Sequence, residues 1–141
     1  MKVYFDGILQ EQDDAMADWT KTSKLTIPPQ TQVLTIECKD FGAQEGILAS
    51  TEDGLVTGTS WQCSDQLVDG WTLSGFLPPP DTFAPPDLLG KNGVNPWGVR
   101  FISKSVIQSV KHLNLRPGIL EDAEWIWPQG KSTWAACRVQ L

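Results

Sequence analysis

Residues 3–10 read Val3-Tyr4-Phe5-Asp6-Gly7-Ile8-Leu9-Gln10, and the reading of this stretch decides the fold. Val3, Tyr4 and Phe5 favour extended geometry, Asp6-Gly7 is a turn pair that tolerates positive φ, and Ile8-Leu9 begins a return strand. A hairpin needs a neighbour in a sheet. The rest of the chain must therefore supply strands, and its pattern does. In Val33-Leu34-Thr35-Ile36-Glu37-Cys38, Leu34, Ile36 and Cys38 point one way while Val33, Thr35 and Glu37 point the other. Pro28-Pro29 just upstream forces an extended lead-in and blocks a helix.

Downstream, Gly42, Gly46, Gly54 and Gly58 punctuate the chain, with short strands predicted at Ile47-Leu48-Ala49 and Trp61-Gln62-Cys63. Turn signals at such close intervals point to an all-β sandwich or barrel. Residues 77–86 hold Pro78, Pro79, Pro80, Pro85 and Pro86 and are expected as an extended surface loop. One segment fits less well. Ile102, Val106, Val110 and Leu113 fall near helical spacing behind Ser103, so a short helix near 103–112 competes with an irregular crossing. Pro117-Gly118 ends it in either case. With 141 residues the chain is expected to form a single β-sandwich domain over 1–141 that buries roughly two-thirds of its unfolded surface.

Charge and composition narrow the function classes. Eleven basic residues against seventeen acidic ones leave a net charge of −6, and the basic residues are scattered. Such a surface does not suit nucleic acid, whose binding needs a basic stripe to release counterions. No apolar run reaches membrane-spanning length, and Met1-Lys2 leads straight into strand-like sequence without a signal-peptide pattern. His112 is the single histidine, which leaves no His cluster for a metal and no relay; a surface position is the simpler reading of it. Nucleophile-elbow, phosphate-loop and zinc-protease motifs are absent. Asp13-Asp14 and Glu121-Asp122 read as solvated loops, so a chain without catalytic chemistry is expected.

Three cysteines allow at most one internal disulfide. Cys38 ends a core-facing alternation and reads as a buried thiol. Cys63 and Cys137 follow aromatic-rich strands and are expected to pair if the chain works in an oxidising, extracellular setting. In a reducing compartment all three stay free. The seven tryptophans read mostly as packing groups that each need one partner for the indole N–H. One or two lining a concave site would instead stack on a ligand.

In order, V-Y-F-D-G-I-L, Asp18-Trp19, V-L-T-I-E-C-K-D-F-G-A-Q-E-G-I-L-A-S, Asp53-Gly54, T-G-T-S-W-Q-C-S, D-G-W-T-L-S-G-F, N-P-W-G, E-W-I-W and A-C-R-V-Q-L resemble the galactose-binding-domain-like jelly roll. Members of that family serve as sugar-binding accessory modules of bacterial α-L-rhamnosidases and other glycosidases, and occur in secreted invertebrate proteins. The resemblance spans most of the chain apart from about residues 101–120. It implies a permuted strand order in which the C-terminal strand returns beside the N-terminal region and completes the sheet. Removal of residues 134–141 is then expected to prevent folding. The chain departs from the pattern at Leu77-Pro78-Pro79-Pro80, where the family carries an acidic, Ser- and Trp-containing turn.

Read this way, the chain is expected to be a non-catalytic carbohydrate-binding or adhesion module taking a glycan or glycoprotein. A structural or protein-interaction sandwich, with exposed edges that favour a homo-oligomer, is the alternative. Sugar sites pair an aromatic platform with amides, carboxylates or Arg, and the best local concentration is Asn92, Asn95 and Trp97 followed by Arg100. Turn chemistry is the simpler reading of either Asn taken alone. Asp40 and Glu45 in the loop over 40–46 form a second candidate, for a ligand or for Ca²⁺, which takes six or more oxygens, many of them carbonyls. Trp71 after Asp69-Gly70, and Trp19 beside Asp18, come third.

Overall fold

Asp6 and Gly7 adopt φ of 46° and 85°, the two positive values that a type I′ hairpin turn demands. They join β1 (Lys2–Phe5) to β2 (Ile8–Leu9). The computed structural model describes residues 1–11, 21–40, 42, 45–94, 115–116, 118–130 and 132–141. Within them lie five further strands: β3 (Val33–Lys39), β4 (Gln62–Ser64), β5 (Asp87–Lys91), β6 (Glu124–Trp127) and β7 (Trp134–Gln140). Among the described residues the chain is all-β. One sheet runs β2-β1-β3-β7-β4, the other pairs β5 with β6, and every pairing is antiparallel. The short helix expected near 103–112 lies outside the described residues.

The C-terminal strand returns to the N-terminal region. It does so beside β3, pairing from Val33↔Gln140 to Lys39↔Trp134. On the far side of β3 sits β1, and on the far side of β7 sits β4. Register builds the core in rows. Val3, Ile36, Cys137 and Cys63 stand side by side across four strands, as do Phe5, Leu34 and Val139 across three. These residues meet Ile47, Trp61, Ile126 and Trp127 in the principal core between the sheets. In the first row Cys63 and Cys137 face each other directly and form a disulfide, Cα–Cα 4.1 Å. Cys38 is the free cysteine, half-buried against the same core.

The alternation in β3 holds, but its second face is not wet. Val33, Thr35 and Glu37 are also buried, because residues of the segment after β4 fold back over that face. Trp71, Phe83 and Ala136 form a smaller core there, with Tyr4, Val68 and Phe76 packed against it. Two corrections follow. The proline-rich stretch over 77–86 is not merely a surface loop: Phe83 is 2% exposed, and Ala84 bridges Cys63 of the main sheet. Residues 47–49 form no strand. Ile47 makes a single bridge to Ile126, and Thr57 closes the loop by donating its N–H to the Ala49 carbonyl (2.9 Å).

Candidate functional site

Five strands at about 4.8 Å spacing make a far wider sheet than two. The inner face of β1 and β3 is therefore roofed by connecting segments rather than by strands. Under that roof lies a cavity of about 170 Å³. Its floor is apolar: Val3 and Phe5 from β1, Leu34 and Ile36 from β3, with Trp61 and Trp125 at the side. Its rim comes from three loops and carries the polar groups Lys21, Thr22, Ser23, Ser50, Thr51 and Arg116. Thr22, Ser23, Ser50 and Thr51 also line a wider groove of about 770 Å³, which runs on past Lys24, Glu52 and Asp53.

The rim is tied together by hydrogen bonds. Asn92 is its organiser. The Asn92 amide donates to the carbonyls of Ile119 (3.1 Å) and Leu120 (3.4 Å), while its oxygen accepts the Arg116 N–H (2.9 Å). From the neighbouring loop, Ser50 Oγ accepts the Leu120 N–H (3.1 Å). Thr51 and Leu55 exchange backbone and hydroxyl bonds around a tight turn. The 48–55 loop and residues 115–116 and 118–120 thus hold fixed positions above the floor. A buried backbone without such partners would be costly.

The sequence candidates distribute as follows. Asn92 is 6% exposed and lines neither the cavity nor the groove; it acts behind them by holding Arg116, Ile119 and Leu120. Trp71, 6% exposed, stacks on Phe83 at 6.4 Å and meets Tyr4 edge-on at 6.1 Å, on the opposite face of the large sheet from the cavity. Asp40 is half-buried and accepts the Gly42 N–H (3.0 Å); Glu45 is half-buried; neither lines the cavity. Trp19, Asn95, Trp97 and Arg100 lie outside the described residues. No group of three or more His, Cys, Asp or Glu side chains gathers as a metal site among the described residues.

Four of the tryptophans are packing groups. Trp61, Trp71, Trp125 and Trp127 are all buried. Trp61 donates its indole N–H to the Val56 carbonyl (3.0 Å) and Trp127 to that of Ser132 (3.1 Å). Trp134 is half-buried with the Lys39 ammonium 4.9 Å from its ring centre. The hydroxyl-bearing rim was missed from sequence because Thr22, Ser23, Ser50 and Thr51 form no motif; their one signal is a clustering of hydroxyls in loops that only the fold brings together.

An apolar cavity of about 150 Å³ admits one benzene-sized ring, so this cavity is matched to a single six-membered ring. Its floor offers dispersion contacts, and its rim offers hydroxyls and cations. No family model, curated protein or solved structure matches the chain.

Proposed function

We propose that the chain is a non-catalytic carbohydrate-binding module of galactose-binding-domain-like jelly-roll type, working outside the cell, where its disulfide persists. The observation that carries this reading is the one-ring cavity with an apolar floor and a hydroxyl-bearing rim. A pyranose has an apolar C–H face and a hydroxylated edge, and this lining complements both. The groove beyond gives the remaining sugars of a glycan a path across the surface. A glycan array on the purified domain, with Ca²⁺ and again with EDTA, tests the reading. Hits that survive EDTA and weaken about tenfold in Thr22→Val, the loss of one ligand hydrogen bond, support it. Hits that vanish in EDTA move the site to the carboxylate loop at Asp40 and Glu45. A blank array with folded protein overturns it.

A second reading has its own observation. The outermost strand of the large sheet, β2, exposes Ile8 (70%) and Leu9 (50%). An apolar edge of this kind favours pairing with another chain. A blank array together with concentration-dependent sedimentation favours a structural or protein-interaction module.

A further inference from the structure

We infer that the site takes the free end of a glycan chain, its last, non-reducing sugar seated in the cavity and the rest of the chain lying along the groove; the inference rests on the carbohydrate reading above. The ways into the cavity decide this. Its floor is the paired backbone of β1 and β3, whose strands stand about 4.8 Å apart, too close for a sugar to pass between them. Val3, Phe5, Leu34 and Ile36 cover that floor, and Trp61 and Trp125 close the side. Each of the six is at most 6% exposed, and none of them lines the groove. The residues that line both compartments belong to the stretches 22–27 and 50–55 and to Ile119. Cavity and groove therefore meet at a mouth bounded by these loops, opposite a floor that lets nothing through.

Glycan chemistry turns that shape into a choice. A sugar inside a chain carries two linkages, so it needs one opening for the chain that arrives and another for the chain that leaves. A terminal sugar carries a single linkage, and one mouth suffices. The volumes agree: the cavity offers about 170 Å³ and the groove about 770 Å³, space for one ring and then for those that follow it. The lining changes at the same boundary. Buried apolar side chains floor the cavity, whereas Thr26, Thr31, Glu52, Asp53 and Gln140 bring hydrogen-bonding groups to the groove. Of a glycan's ends, the reducing one is taken up wherever the glycan is attached to protein or lipid, so the ends left free are non-reducing.

Titration calorimetry on the full chain tests this with soluble galactan, mannan, xylan and mixed-linkage glucan. Each is used intact, after partial acid hydrolysis, and after hydrolysis followed by borohydride, which opens every reducing-end ring. For at least one of them the binding sites per gram are expected to follow the chain ends, a tenfold rise in ends giving about a tenfold rise in sites. Borohydride leaves that rise intact, and the methyl glycoside of the same sugar competes. Leu25→Trp, at a 36% exposed residue of the mouth, puts an indole in the way and weakens binding at least about tenfold at an unchanged thermal midpoint. Sites that follow polysaccharide mass instead of ends, sites lost on borohydride treatment, or full binding by Leu25→Trp overturn the inference and leave the carbohydrate reading standing. Silence from every polysaccharide and methyl glycoside overturns both.

Discussion

Asp6 does two jobs with one short side chain. It accepts a φ of 46°, and its carboxylate takes the backbone N–H groups of Gln32 (3.0 Å) and Val33 (2.9 Å), so the hairpin turn clamps the start of β3. Asp6→Ala removes that acceptor and places a methyl-bearing residue in the left-handed region. A loss of about 2 kcal/mol in urea unfolding is expected, against less than about 1 kcal/mol for Asp6→Asn, which keeps one acceptor and tolerates the dihedral. The turn was legible because Asp-Gly has few other uses between two apolar runs. Asn92 was legible only as a residue of interest. An amide in an Asn-Gly pair suits a ligand contact or a turn, and nothing short of the Ile119 and Leu120 carbonyls arriving beside it tells the two apart.

At the scale of elements, β1 and β3 were readable from their extended or alternating residues; the rows they build with β7 were not. Nor was strand β5. It follows directly on the proline-rich stretch expected as loop, and its internal Gly90 sits at φ 132° in a bulge where the register against β6 slips. A Cβ there would come 2.5 Å from the Val94 side chain. Both faces of β3 being covered was also hidden, since the cover comes from Trp71 and Phe83, far along the chain. The place of β7 yields a prediction. It lies between β3 and β4, so a chain ending at Thr133 opens the middle of the large sheet and loses the disulfide as well. Such a chain is expected to show no cooperative thermal transition and a red-shifted tryptophan emission.

For the whole molecule, the imbalance between a broad sheet and a narrow one is what creates the cavity. Its lining comes from segments that share no motif, and its existence depends on how loops cross a sheet, which local pattern does not encode. The same sheet sets the alkaline limit of stability. Burial pushes the Cys38 thiol above its ordinary 9.0. Burial, then the hydrogen bond to Glu37, pushes the Tyr4 phenol above 10.0. The hydrogen bond to Glu37 also raises the Lys2 ammonium above 10.5. In each case the folded state holds its proton more tightly than the unfolded chain. The stabilisation is complete below the unfolded value and drains away as pH climbs through the folded one. The melting temperature is expected to begin falling above about pH 9 through these groups, and Cys38→Ala to move that onset toward pH 10, checked by calorimetry across a pH series. The position of β7 has a last consequence, in the order of synthesis. The strand that completes the large sheet is the last of its five to leave the ribosome. Until it emerges, β3 and β4 have no common neighbour, and Cys63 waits 74 residues for Cys137. The large sheet therefore cannot close until its other four strands have all been made, and until then a nascent chain must be kept from pairing its open β3 edge with its neighbours on the same message.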